Sequence, residues 1–430
     1  MRNAHVALKY GSSETSVNLE NANVIQIIEP REFEGQEARK EILQAMQNPI
    51  GTGRLDEIVQ ERRARGKTPT VTIIVSDITR PTPTATILPH VLDALHESKV
   101  TSDQITIVFA LGIHRQLTSS EMENLVGQRI FDHYTCVNHD ATNCVYVGTT
   151  AQGTRVCANR IVVNSNVRIC LGTIELHYFA GYSGGYKSLL PGVCSRETIE
   201  SNHKLMLKPD AVGGRLDSPV RRDLEEAGQL IGCDFILNVV LNSEKHIVRA
   251  VAGHPVAAHR EGVKTVDAMY IIPIRELADV VVVSAGGSPK DINLFQSQKA
   301  LDNARHALKE GGSIILAAEC PEGLGEAVFE RWLNEARNKQ ELIDRLDYAF
   351  EIGGHKAGLL AKLTQKADVY VISELKKELA ERAFLLCAHD LNDAVYAAKE
   401  KYGPHASIIV MPYGSYTLPR LQNLNKANHI

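Results

Sequence analysis

The sequence predicts an α/β protein built from two α/β domains, and three observations predict it. Short β-branched runs, among them Val71 to Val75, Ile105 to Phe109 and Val167 to Leu171, stop at glycine or polar residues, as buried strands do. Helical patterns alternate with them, which is the signature of a parallel sheet. The alternation restarts beyond residue 270, and 430 residues exceed what one core usually serves. The expected organisation is an N-terminal domain over 1–270 and a C-terminal domain over 271–430, with the active site in the cleft between them.

Taken in order, Val6 to Leu8 and Val24 to Ile28 read as short strands, and Ala38 to Met46 and Leu55 to Arg62 as helices of a covering layer. Val71 to Val75 ends at Ser76 and Asp77, after which Arg80-Pro81-Thr82-Pro83 turns the chain into a helix reaching Leu95. Ile105 to Phe109 ends near Gly112 and His114, and Thr118 with Glu121 has the spacing of a capping box. Asp132 to Arg155 alternates apolar and polar residues as a β-rich excursion, and its His133 and His139 lack partners at ligand spacing. Val167 to Leu171 is the third strand, leading to His177. Asp77/Arg80, His114 and His177 therefore all lie past the carboxyl ends of strands, where open α/β sheets bind ligands. Phe235 to Leu241 and a helix over 254–268 lead to the second domain. There the strands are Val280 to Ser284, Ser313 to Ala318, Val369 to Ile372 and Ser407 to Val410, with helices between them.

Composition excludes several classes. A net charge of −4 gives no basic footprint for nucleic acid. Hydrophobic content of 44% with 23% charged residues is ordinary for a globular chain. No apolar leader or membrane-length run is present, so a cytoplasmic location is expected. The eight cysteines are scattered without a C-x-x-C pair and read as reduced thiols.

The stretch from Cys170 to Met206 concentrates histidine, lysine and glycine. Gly181, Gly184 and Gly185 leave backbone that an anionic group could approach, and Lys187 adds a cation. GYSGGYKS nearly matches a phosphate-binding P-loop but has Tyr186 where the last glycine belongs. His203, in a helical context, is either a solvated histidine or a metal ligand. His254 and His259 stand five apart, off one helical face, so the zinc-protease pattern is absent.

The run HYFAGYSGGYKSLLPG followed by TIESNHKLM resembles the lactate racemase family, as do SDITRPTP (76–83), ALGIHRQL (110–117) and SPKDINLFQSQKALDNA (288–304). The resemblance implies a nickel-dependent isomerase, a racemase or epimerase of a 2-hydroxy acid. It also implies a nickel-pincer nucleotide, in which a pyridinium mononucleotide grips nickel(II) through sulfur, carbon and sulfur. Lys187 matches the lysine that holds this cofactor covalently, and His203 the histidine that completes the metal's plane. Asp77, Ile78, Thr79 and Arg80 match the cofactor-cradling loop, with Arg80 suited to the phosphate or to substrate. His114 and His177 match the catalytic pair of bases. Gln296 and Lys299, three apart on a predicted helix, match residues that hold the substrate carboxylate; by themselves they read as a polar helix face.

Removing the C2 proton of a 2-hydroxy acid directly is hard, because the adjacent carboxylate stabilises a carbanion poorly. Hydride loss from C2 to give a bound 2-keto acid avoids that species, and two bases on opposite faces then allow inversion. Departures from the family, namely Tyr182, Tyr186 and His355, imply a more polar pocket and a longer or hydroxylated substrate. The implied partners are the 2-hydroxy acid and the enzymes that make and load the cofactor, with neither nucleic acid nor membrane. Two alternatives remain open: a zinc hydrolase or lyase using His114, His177 and His203, and a cofactor carrier without turnover.

Overall fold

The computed structural model describes residues 5–422. The chain divides into two compact units, one spanning Glu32–Ala268 and the other combining the chain up to Arg31 with Met269 onward. The division lies beside residue 270, but the first segment does not join the unit that follows it. Asn23–Ile27 instead pairs in parallel with Ser407–Met411, and the Ile28 N–H donates to the Val410 carbonyl at 2.7 Å. Val6, Leu8, Val17 and Leu19 pack there with Val280, Val282 and Ile315 in one core. A free strand edge and a complementary apolar face recruited the segment, and neither is a local property of its sequence.

In the unit Glu32–Ala268 a six-stranded sheet runs in the order Ile247–Gly253, Phe235–Leu241, Val167–Thr173, Val71–Ser76, Ile105–Ala110, Thr135–Asn138. All neighbours are parallel except Ile247–Gly253, which runs antiparallel along Phe235–Leu241. That edge strand and the helix Pro219–Ile231 are not among the elements expected from the sequence. The strands alternate strictly. Val71, Ile73, Val75, Ile107, Phe109, Ile169, Leu171, Leu237 and Val239 join one core with the helices Ala38–Gln47, Leu55–Ala64 and Thr84–Glu97. Ser76, Ala110, Gly172 and Asn238 belong to the intervening positions, hence to the other face. From Val71–Ser76 the chain builds outward in one direction, then returns to build the other half from Val167–Thr173. The carboxyl ends of those two strands form the topological switch point.

Helix starts follow side-chain chemistry. Thr118 and Glu121 form the expected capping box, with Thr118 Oγ1 accepting the Glu121 N–H at 3.2 Å and Glu121 Oε2 accepting the Thr118 N–H at 2.9 Å. The β-rich excursion contributes Thr135–Asn138 to the sheet and the hairpin Cys144–Thr149/Arg155–Asn159 beside it.

The other unit holds a six-stranded, all-parallel sheet in the order Leu386–Cys387, Asp368–Ile372, Leu308–Ala317, Ala278–Ser284, Ser407–Met411, Asn23–Ile27. Among the described residues all eight cysteines are free thiols, and no helix is long and apolar enough to cross a membrane.

Ile28 is fully buried, so Ile28→Ala removes apolar contacts worth about 2–5 kcal/mol. Hydrogen exchange should quicken in Ala278–Ser284 and Ser407–Met411 and stay unchanged in Val71–Ser76. Equal acceleration in both sheets would contradict the assignment of this segment.

Candidate active site

Asp77 follows the last residue of Val71–Ser76 and is almost fully buried. Its Oδ2 accepts a hydrogen bond from His114 Nδ1 at 2.6 Å, while its Oδ1 accepts from the Thr79 N–H at 3.0 Å and from Thr79 Oγ1 at 2.6 Å. Burial by itself raises the carboxyl's pKa, but the bonds from His114 and Thr79, with the His114 and Arg80 charges, outweigh it and hold the group below its ordinary range. Asp77 is thus an anchored carboxylate. It fixes the His114 tautomer with the proton on Nδ1, leaving Nε2 as an acceptor on a ring whose side chain is 50% exposed. Ile78, Thr79 and Arg80 are exposed beside it.

His177 lies on a two-stranded ribbon, Leu176–His177 against Gly181–Tyr182. The Ala180 N–H approaches its Nδ1 at 3.4 Å, so in the neutral ring the proton sits on Nε2. Phe179 packs edge-on to both histidines, with centroids 4.5 Å from His177 and 5.1 Å from His203. His203 stands in the last turn of the helix Arg196–Lys204, which starts at the cap Ser195. The neighbouring Asn202 donates to buried Asp223 Oδ2 at 2.8 Å, and Asp223 also accepts from Thr150 and Thr154. That network sets where the helix lies. The His114 loop meets the same region, since the Gly112 N–H donates to Gly192 O at 2.9 Å and Gly112 lies against Ile199.

Lys187, half-buried, sits on the single turn Gly185–Ser188. The glycines before it do not leave open backbone for an anion, contrary to expectation. A Cβ at Gly181 would lie 2.0 Å from Arg215 O, and at Gly184 2.8 Å from Ile174 Cγ1, while the Gly185 N–H already donates to Asn238 Oδ1 at 2.8 Å. Their positive φ angles of 75°, 74° and 59° and these close approaches require glycine for packing. Arg221, fully buried, donates to the carbonyls of Ala180 at 3.2 Å, Gly184 at 3.4 Å and Tyr182. His259 Nε2 donates to Ser183 O at 2.8 Å, and burial together with the Arg221 charge keeps that imidazole neutral. Arg221, His259 and Asn238 shape the site, and sequence reading missed all three. Only a long-range contact map could have found them.

Tyr182, Tyr186 and His355 do not make a polar pocket. Tyr182 is 1% exposed and its hydroxyl donates to Asp267, with Gly214 O 3.1 Å away; Tyr186 is 4% exposed and packs on Gly228. His355, also 4% exposed, stacks on Phe350, and burial with the Lys356 charge pushes its pKa down to about 3. Three other histidines singled out in the sequence make ordinary structural bonds: His139 to Cys194 O and Asn159, His133 to Arg129 O, and His254 Nδ1 from the Val256 N–H. Among the described residues, His114, His177 and His203 do not bring ligand atoms together as a three-ligand set; the one such group is His389, Asp390 and Asp393.

In the other unit, Gln296 and Lys299 lie on the helix Leu294–Ala304, capped by Asn293. They share a face, and Lys299 Nζ donates to Gln296 Oε1 at 2.9 Å. Lys356 is buried behind them, its ammonium 3.9 Å from the Phe295 ring centroid and its pKa pulled well down by burial and by Lys299.

A carboxylate-anchored histidine, a second histidine and a lysine turn thus stand near the switch point of an α/β sheet, where α/β enzymes bind their ligands. The chain matches the profiles of the lactate racemase N-terminal domain over residues 10–214 and C-terminal domain over residues 274–417. It is 32% identical to the lactate racemase of Thermoanaerobacterium thermosaccharolyticum, over 97% of this chain and 99% of that protein. Identity to the lactate racemase of Lactiplantibacillus plantarum is 32%, over 86% of this chain and 88% of that one. The lactate racemase apoprotein structure from T. thermosaccharolyticum superposes with a TM-score of 0.90 at 31% identity, covering 97% of this chain and 100% of that chain. A Thermotoga maritima protein shares the fold alone, with a TM-score of 0.60 at 18% identity, over 87% of this chain and 100% of that one. The chain belongs to the lactate racemase family.

Because Asp77's folded pKa is depressed, its contribution to stability is present above its unfolded pKa of about 3.9 and is lost as pH falls through the folded value. The stability advantage of the wild type over Asp77→Asn should therefore shrink as pH drops below about 4. Urea denaturation of both proteins across the acid range checks this; a difference that stays constant would contradict it.

Proposed function

We propose that the protein is a racemase or epimerase of a small 2-hydroxy acid, of which lactate is the first candidate given its relatives, and that it uses a nickel-pincer nucleotide linked to Lys187. The observation that carries this reading is the opposite proton placement on two histidines. His114 offers a lone pair at Nε2, because Asp77 holds its Nδ1 proton, whereas His177 offers an Nε2 proton, because Ala180 occupies its Nδ1. One ring is set to take the hydroxyl proton, and the other to donate a hydrogen bond to the substrate oxygen.

The residues present suit such a cofactor by their donor chemistry. Lys187 supplies a half-buried amine at the switch point, His203 a half-buried imidazole beside Phe179, and Arg80 an exposed guanidinium. Lys187 would hold the group, His203 would donate to nickel, and Asp77, Ile78, Thr79 and Arg80 would line the nucleotide. When bound, that group supplies an electron-poor carbon that takes up hydride from C2 and returns it.

The chain's own residues manage the protons and the pose. His114 Nε2 accepts the hydroxyl proton as the C2–O bond becomes a carbonyl, and Asp77 stabilises the resulting imidazolium. When hydride comes back to the opposite face, His177 in its imidazolium form gives its Nε2 proton to that oxygen and becomes the neutral ring. For the other enantiomer the two rings exchange roles. Gln296 and Lys299 bind the substrate carboxylate. With Tyr182, Tyr186 and His355 buried, their polarity gives no reason to expect a longer substrate. The working partners are the 2-hydroxy acid and the enzymes that make and load the cofactor.

Two tests follow from these roles. In protein made alongside the cofactor-synthesising enzymes, Lys187→Ala should lack the covalent mass adduct that the wild type carries, while His203→Ala keeps the adduct and loses nickel. An adduct persisting on Lys187→Ala, or unchanged nickel in His203→Ala, sinks the corresponding role. Separately, His114→Ala and His177→Ala should each lose racemisation by about 100-fold or more, yet each should oxidise one enantiomer in a single turnover, and the two should differ in which. Keto acid trapped from the same enantiomer at similar rates by both variants would remove the two-base scheme.

A further inference from the structure

Asn238 lies in the middle of Phe235–Leu241 and is fully buried. Its Oδ1 accepts the Gly185 N–H at 2.8 Å, which fixes the amide's orientation, since only the oxygen can accept. Its Nδ2 has no hydrogen-bond partner among the described residues. A buried amide left half-satisfied is uncommon and calls for a reason.

The surroundings of Gly172, directly opposite Asn238 in the parallel ladder, supply one. The three heavy atoms nearest the point where a Gly172 Cβ would stand are all polar: Asn238 Nδ2 at 3.5 Å, Ser188 Oγ at 3.6 Å and Ser76 Oγ at 3.9 Å. One amide donor and two hydroxyls thus converge beside Gly172, which supplies the two to four polar partners a buried water needs. Gly172 is not among the residues with positive φ, so its backbone does not demand glycine.

We propose that Asn238 is a positioning residue that clamps both ends of the Lys187 turn, directly at Gly185 and at Ser188 through a water held in the Gly172 notch. Asn238 Nδ2 donates to this water, and the Ser188 and Ser76 hydroxyls complete its shell. Gly185 and Ser188 are the first and last residues of the turn, so one side chain sets the turn's height above the sheet and with it the place of the Lys187 amine. The inference rests on the proposed role of Lys187 only for its functional meaning.

Full-length protein without cofactor is the material for the test, so failure of the cofactor reading leaves the result interpretable. Gly172→Ala fills the notch with a methyl at ordinary contact distance and leaves Asn238 in place; Asn238→Ala removes both arms. Hydrogen exchange by mass spectrometry should show the amides of Gly185 to Leu189 exchanging about 5-fold faster or more in Gly172→Ala, and faster still in Asn238→Ala, with Val71–Ser76 unchanged. Labelling of Lys187 by an amine-reactive ester, measured against exposed Lys264, should change its pH profile in both variants, which general destabilisation would not produce. Wild-type exchange and labelling in Gly172→Ala would overturn the water arm. The same result in folded Asn238→Ala would overturn the clamp entirely. Should Asn238→Ala not fold, Gly172→Ala alone decides.

Discussion

The candidate site rests on one buried guanidinium. Arg221 is removed from water, a placement tolerated only when its donors find acceptors, and it finds the carbonyls of Ala180, Tyr182 and Gly184. Burial lowers its pKa only to about 10, so it stays charged near neutrality. These acceptors are alternate residues of one short loop, and bringing them round a single cation forces the loop to fold back on itself. The left-handed Gly181 and Gly184 are where it does so. His177 lies just before this loop and Lys187 just after it, so Arg221 fixes the loop that joins these two side chains without being near either in sequence.

The sheet beneath has two faces with different duties. One is filled by Ile73, Val75, Phe109, Leu171 and Val239 against three helices, and supplies the stability. The other presents a row across the central strands, Ala110, Ser76, Gly172 and Asn238, in register with one another. These side chains are small or amide-bearing because the segment from Ser188 to Gly192 lies directly on them; a Cβ at Gly192 would stand 2.8 Å from Ala110 Cβ. Larger residues in that row would lift the turn bearing Lys187. Stability and chemistry are thus separated by the period-2 alternation of the strand.

Electrostatics completes the arrangement. Asp77 is buried yet kept ionised by bonds from His114 and Thr79, so a charge at the strand's end is satisfied by these neighbours. The consequence is tautomeric control of His114. On His177 the control comes from a backbone N–H instead, and the two rings end with opposite protonation at Nε2.

The sequence by itself determined the alternation of strands and helices, the placement of Asp77, His114 and His177 past strand ends, the Thr118 capping box, and the family. Each of these is local: hydrophobic period, turn residues, or a contiguous motif. It did not determine that Asn23–Ile27 completes the sheet of the other unit, nor that Tyr182, Tyr186 and His355 are buried. Nor could it show that the glycines before Lys187 pack on protein, or that Arg221, His259 and Asn238 hold the loop. Those outcomes depend on groups tens of residues apart meeting at one place. A polar residue in a sequence looks the same whether it faces solvent, substrate or a buried carbonyl, and only the tertiary structure decides which partner removes it from water.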